Sequence, residues 1–559
     1  MRRLIRGVVV SGFVVAAATW LHAQGREWTT AAFDAQRTGW VRSDARLTKD
    51  AVQKGDFQFL WKAKFENEAR QLNSLTPPII LDRLIGYRGF KALGFIGGSA
   101  DRVFAIDTDL ARPYWTTHLN YSAATGGQPA SSWECPGGLI AVPTRRTALA
   151  PQPPATGGGG ARGGRSSSSV GEPGRGAAVL SQQPAGGRRG APGGAFPGPA
   201  ARGRGVAPIP FGGVDPLYAV GSDGFLHTLS SANGADMSPA VPFLPPNAKP
   251  SALIFIDGVV YTTTSSGCGA APNAVWAIDL TADNKVISWK TGGPDIVGTT
   301  AIAFGSEGTL YVALGKAPSD AGTSTYANSV VALDRATLEP RDWFSTGDVE
   351  FSGAPIVFPF KGNDLVAVTG SDGRLYLLDG AKAGGADHKT ALHVTAKYTG
   401  GTSGAGLATW EGQGTRWILA PVAGALQSGV RFTSNGVAPG GSIVAFKVAD
   451  DANKVTLTAG WASRNLTTPL APIVVNGVVF AASSGEYRGS GASLTAAQRA
   501  QRSTPAVLYA LDGATGQQLW SSRTTMTSFA RGGLSTAAGQ VYVVTYDNHL
   551  YAFGIPMEH

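Results

Sequence analysis

A five-residue pattern of apolar, apolar, Ala, apolar and Asp recurs along the chain. It reads Val103-Phe104-Ala105-Ile106-Asp107, then Val275-Trp276-Ala277-Ile278-Asp279 and Val330-Val331-Ala332-Leu333-Asp334. It returns as Leu375-Tyr376-Leu377-Leu378-Asp379 and, most cleanly, as Leu508-Tyr509-Ala510-Leu511-Asp512. Weaker copies at Leu226–Ser230, Ile443–Lys447 and Leu550–Gly554 bring the number to eight. The best copy continues Gly513-Ala514-Thr515-Gly516-Gln517-Gln518-Leu519-Trp520, which predicts strand, tight turn, strand. The Asp carboxylate can accept turn amides, and Gly516 supplies the positive φ that closes the turn. Trp520 then falls on the next strand, where a large ring can wedge between neighbouring sheets. Trp115, Trp289 and Trp343 follow their Asp residues at similar distances, and Trp461 lies in the sixth repeat.

Upstream of the copies lie further apolar strands. Ile473-Val474-Val475-Asn476-Gly477-Val478-Val479-Phe480 reads as two strands around an Asn-Gly turn, and Ile254 to Tyr261 repeats this with Asp257-Gly258. Each unit is thus four short antiparallel strands, and such units at a period of roughly 40–50 residues read as propeller blades. The last copy ends at Gly554 with no Trp strand after it, while Phe57-Gln58-Phe59-Leu60-Trp61-Lys62 stands unclaimed near the start. The predicted fold is all-β: an eight-bladed β-propeller of four-stranded antiparallel blades, closed by this N-terminal strand beside 549–554. Closure removes the exposed sheet edges.

The repeats resemble those of the pyrroloquinoline-quinone (PQQ) repeat propellers. That superfamily holds the quinoprotein alcohol dehydrogenases and the outer-membrane assembly propellers. Only Ala510 to Trp520 matches the Ala-Leu-Asp-x-x-Thr-Gly-x-x-x-Trp signature in full; degenerate copies extend from about residue 57 to 554. The resemblance implies eight blades.

Gly and Pro, 76 and 34 of the 559 residues, exclude a long-helix protein and agree with many turns. The formal charge is +9, but its placement matters more. Residues 1–23 contribute +3 through Arg2, Arg3 and Arg6, and residues 151–210 contribute +6 through seven Arg against Glu172. The rest nets to zero, so a nucleic-acid-binding core loses its main support. Met1 to Arg6 is a basic start, Gly7 to Leu21 an apolar run, and Ala23 a small residue suited to cleavage. Residues 1–23 are expected to be a signal peptide, leaving a single propeller domain over 24–559 that is periplasmic or secreted, with no transmembrane span. Residues 151–210 contain 17 Gly and 10 Pro. The segment from 148 to 210 is therefore expected to be a disordered insertion within blade 2, between a first strand at Leu139–Val142 and a second at Leu217–Val220. Other long connections, 314–328, 421–440 and 483–505, fall between second and third strands, on the face that also carries the blade-to-blade crossings. Leu494 to Arg502 is predicted to be a short helix there.

Cys135 and Cys268 are the two cysteines. Cys135 precedes blade 2 on the crossing face, and Cys268 follows the second strand of blade 3, which runs toward that face. The blades are neighbours, so the two Cα atoms can approach the roughly 4.4–6.8 Å that a disulfide requires, and an exported protein meets an oxidising compartment. Two separate thiols are the other reading.

In the quinoprotein dehydrogenases that the repeats resemble, adjacent cysteines form a vicinal disulfide against the cofactor near the start of the second blade. The corresponding stretch, Trp133-Glu134-Cys135-Pro136-Gly137-Gly138, has one cysteine. Those enzymes also carry a Gly-Asp-Asn motif with the catalytic Asp in the fourth blade. The matching region, Gly315 to Asn328, offers Pro318 and Asn328 as counterparts but lacks that motif. No haem-attachment Cys-x-x-Cys-His occurs. A PQQ enzyme needs a calcium-type cation held by several oxygens and a carboxylate base beside the quinone. Trp133, Glu134 and Asp320 are the candidate cofactor-binding residues; no metal ligand set is identified, and the catalytic residues stay unassigned. The chain therefore reads as a binding or scaffolding propeller, taking a protein or small-molecule ligand at its loop-rich face. The alternative is a divergent PQQ-dependent oxidoreductase of alcohol or sugar dehydrogenase type, with PQQ and calcium. One outcome follows from composition alone. Replacing residues 148–210 by a short Gly-Ser turn should lower the melting temperature by less than about 5 °C; a larger fall in a thermal melt would mean that the segment packs on the propeller.

Overall fold

The structure, a computed structural model, describes residues 27–556 except 87–88, 120–133, 150–215, 319–325, 402–403, 452–453 and 490–493. The expected signal peptide and all but two residues of the expected insertion lie outside the described residues.

Eight antiparallel sheets follow one another along the chain as the blades of a propeller. Blade 1 spans residues 79–118, blade 2 144–242, blade 3 254–290, blade 4 303–345, blade 5 356–394, blade 6 408–462, blade 7 473–521 and blade 8 530–554. Seven of the eight copies are third strands, and the Leu226–Ser230 copy is the second of the three strands of blade 2. The last blade takes its outer strand from the start of the chain: Gln58–Lys64 pairs antiparallel with His549–Gly554, Trp61 opposite Ala552 and Lys62 opposite Tyr551. Phe57 anchors this strand, its ring edge-on to Trp520 at 4.8 Å.

The repeat residues act as the local chemistry predicts. Asp512 Oδ1 accepts the amides of Ala514 and Thr515, both at 2.9 Å. Asp107 and Asp334 hold their turns in the same way. The Ala of the motif stands directly across from the outer-strand Trp in blades 1, 7 and 8, where a small side chain leaves room for the indole. The indole N–H then reaches the following blade: Trp61 donates to Thr108 O, Trp115 to Ser231 O and Trp461 to Gly513 O, at 3.2, 3.0 and 2.9 Å. Gly516, at φ +74°, lies against the Trp461 ring, and a Cβ there would run into it.

Blade 2 departs from the expected pattern. Leu139–Val142 forms no strand, and the pairing with Leu217–Val220 occurs two residues later, as a single bridge between Thr144 and Tyr218. Pro143 has no amide proton and interrupts the ladder at that point. The sheet therefore shows three strands, ending in the short Val241–Pro242. Among the described residues two α-helices decorate the ring. Ala496–Arg502 lies within the predicted segment and is fixed by a capping box of Thr495 and Gln498. Lys49–Lys54, capped by Thr48, carries no repeat signature and was not expected.

Residues 28–44 also had no assigned role, and they visit every blade in order. Trp28 exchanges two backbone hydrogen bonds with Ile80 of blade 1. Thr29 O accepts Arg145 N beside blade 2, and Thr30 Oγ1 donates to Leu253 O at the entry of blade 3. Ala35 O, Gln36 O and Thr38 O accept the amides of Phe304, Val357 and Thr409 in blades 4, 5 and 6. Gly39 O accepts Val474 N of blade 7, where Trp40 and Val41 run parallel to the first strand. Asp44 Oδ2 accepts Gly539 N of blade 8. Gly39 has φ +62° and lies where a Cβ would stand 3.1 Å from Pro472 O.

Arg37 locks this segment. Its side chain is 1% exposed and donates to Ile302 O, Thr30 Oγ1 and Ala31 O at 2.8, 2.8 and 2.7 Å. Burial lowers its pKa to about 10, opposed by the nearby Asp34 carboxylate, so the guanidinium stays charged at neutral pH. Burial in turn raises the pKa of Asp34, while hydrogen bonds from Thr38 oppose the rise. Arg37→Ala strands three buried acceptors and the Asp34 carboxylate, and should cost about 3–5 kcal/mol. Gly516→Ala should cost about 1–3 kcal/mol through positive φ and displacement of the Trp461 ring. Denaturant melts of both variants check these values; an unchanged midpoint for Arg37→Ala would show that the segment does not hold the ring.

Candidate functional site

In each blade the chain passes from the outer strand to the first strand of the next blade on one face, and the second-to-third connections emerge on that same face. The three long connections occupy 314–328, 424–440 and 484–506, as their strand boundaries require. On this face a cavity of about 560 Å³ lies at the axis, lined from all eight blades. Its floor includes Ala31, Ala32 and Arg37 of the N-terminal segment.

Besides Arg37, four charged side chains line the cavity: Glu134, Lys249, Asp295 and Arg531. They come from the approach to blade 2, the two crossings that follow, and the first strand of blade 8. The connection of blade 3 ties two of them together. Lys249 Nζ donates to Ser266 Oγ at 3.1 Å, and Asp295 Oδ1 accepts the Ser266 amide at 2.7 Å. Burial pushes the Lys249 ammonium below the usual lysine range; Asp295 and Glu134 oppose that shift, and Arg531 adds to it. These groups are therefore close enough to sense one another.

Cys268 lies two residues beyond Ser266 and forms a disulfide with Cys135, with Cα atoms 5.3 Å apart. The bridge ties the blade 3 connection to the segment that carries Glu134. Of the candidate residues, Glu134 lines the cavity, whereas Trp133 and Asp320 lie outside the described residues. Lys249, Asp295 and Arg531 carried no sequence motif; only the blade register, which places them beside the axis, could have marked them.

The cavity can be tested against a quinone cofactor and its cation. Lys249 and Arg531 offer charge to carboxylates. Tyr546, stacked on Phe529 at 4.7 Å, is the one aromatic ring among the described lining residues. The cysteines bridge two segments 133 residues apart instead of forming a vicinal pair. Among the described residues no three His, Cys, Asp or Glu side chains converge as a cation site. The described lining does not assemble the oxygen cage that calcium needs.

The comparisons with known proteins agree with the geometry of the ring. Residues 460–555 match the family model described as "Outer membrane protein assembly factor BamB". These residues run from the outer strand of blade 6 through the first three strands of blade 8. The fold is that of the PQQ-repeat β-propellers. Among solved structures, the quinohaemoprotein alcohol dehydrogenase of Comamonas testosteroni is similar at 13% identity and a TM-score of 0.53, over 97% of this chain and 82% of that one. A europium-containing methanol dehydrogenase is similar at 10% identity and a TM-score of 0.55, over 96% of this chain and 100% of that one. BamB of Moraxella catarrhalis gives 10% identity and a TM-score of 0.44, over 90% and 99%. None of the curated proteins matches the chain in sequence. Within this fold the axial cavity is the concave site on the crossing face.

The bridge gives a direct test. The unreduced protein should yield a cross-linked Cys135–Cys268 peptide in mass spectrometry, and the Cys135→Ser/Cys268→Ser double variant should lose about 2–4 kcal/mol of stability. Two freely alkylated thiols would refute the bridge.

Proposed function

We propose that this protein is an exported binding or scaffolding propeller that works through its loop-rich crossing face. The observation that carries the reading is the chemistry of that face. The described cavity wall brings together charged side chains from separate blades without a cation cage, and three long connections rise around it. Val437, 89% exposed on the blade 6 connection, presents an apolar side chain to solvent there. Binding surfaces are commonly built this way, from loops set on a rigid frame.

Export is supported by the basic and apolar leader over residues 1–23 and by the disulfide, a bond that persists in oxidising compartments. The description of the matching family model, an outer membrane protein assembly factor, points the same way. Among the described residues no helix is long and apolar enough to cross a membrane. Nucleic acid is not the expected partner, because the basic excess lies in the leader and the Gly-rich segment and not on the ring.

A second reading, a divergent PQQ-dependent oxidoreductase, is favoured by the axial position of the cavity and by the dehydrogenases among the structures of similar fold. An absorbance titration of the purified protein with PQQ and calcium separates the two. The binding reading expects spectra that add as free PQQ plus protein. Saturable, stoichiometric uptake of the quinone, followed by reduction of a dye on addition of an alcohol, would replace it with the oxidoreductase reading.

A further inference from the structure

Arg531 belongs to the first strand of blade 8, Ala530–Ala537, and its side chain reaches the axial cavity. Its Nε lies 3.5 Å from Glu486 Oε1. Glu486 sits in the long connection of blade 7 and is 1% exposed. The other oxygen of that carboxylate accepts Arg488 Nε at 2.9 Å. Arg499, on the helix Ala496–Arg502, adds a third guanidinium within electrostatic range of Arg531. Two arginines, Arg488 and Arg531, thus hold one buried carboxylate. Among the described residues this cluster sets two guanidiniums against one carboxylate.

Lys249 lines the same cavity and adds a second cation to Arg531. Two acids share the cavity, Glu134 and Asp295, but both are exposed and water screens them. Arg531 is half-buried, in a medium where a charge acts more strongly than at the open surface. The buried Glu486 fixes the planes of its arginines, which prepares their forks for an incoming oxyanion.

We propose that this wall is an oxyanion-binding site, which takes the carboxylate or phosphate group of a small organic ligand entering the axial cavity. The acids opposite give the ligand a direction, its anionic end toward Arg531 and its neutral or cationic end toward Glu134 and Asp295. This proposal rests on the reading of the cavity face as a binding face.

Calorimetric titration of the full mature chain at low ionic strength, with inorganic phosphate and separately with malonate, tests it. One site in the millimolar range is expected. Tighter phosphate binding would identify a phosphorylated ligand, and tighter malonate binding a carboxylate. Arg531→Gln should weaken the preferred anion at least about tenfold, and Lys249→Gln about threefold. Arg499→Gln, a change on a partly exposed helix, should weaken it about threefold and serves where Arg531→Gln does not fold. Absence of binding by both anions, or equal affinity in Arg531→Gln and Arg499→Gln, would overturn the site. The binding reading itself stands or falls on the quinone titration: a lost anion site without quinone uptake removes only this proposal. Quinone uptake with anion binding intact removes only that reading.

Discussion

A ring of sheets has two weak places, and one stretch of chain serves both. The first strand of every blade turns an edge toward the axis, where backbone amides and carbonyls have no neighbouring strand. The ring also has a seam, because a chain that begins and ends at the same blade must be joined there. Residues 28–44 bond to blades 1 through 8 in turn, and residues 58–64 then close the seam on blade 8. A single extended segment thereby couples eight sheets that otherwise meet only their neighbours. Arg37 concentrates this coupling, since its guanidinium ties two points of the segment to blade 4.

The repeats were legible because their chemistry is local. Asp accepts the amides of its own turn, Gly closes it, and Trp docks on the following blade, so each copy announces itself within a dozen residues. The seam strand was legible by subtraction, as a Trp strand that the last blade lacked. The axial segment was not legible. It pairs through backbone groups with partners up to several hundred residues away, so neither a period of two nor one of 3.6 marks it. The first strand of blade 2 was read two residues too early, because apolar residues 139–142 looked like strand while Pro143 blocked the ladder. Leu139, Ile140 and Val142 line the cavity instead.

The site was less legible than the fold, for a related reason. Besides Arg37, its charged residues lie at positions 134, 249, 295 and 531, each in a different crossing or strand start. Glu134 was singled out because its stretch, Trp133 to Gly138, corresponds to the start of the second blade in the quinoprotein dehydrogenases that the repeats resemble. Lys249, Asp295 and Arg531 adjoin no motif. Only closure of the ring brings them together, and closure is a property of the whole chain.

The axial segment also decides which face can evolve chemistry. With Ala31, Ala32 and Arg37 beneath the cavity, the inner edges of the blades are occupied and the floor is fixed. Side chains that reach a ligand must then come from the crossings and the second-to-third connections. Those segments are free to change without disturbing the ladders, and the Cys135–Cys268 bridge and the Glu486–arginine cluster each stiffen one part of them. A rigid floor with independently braced walls separates binding from stability.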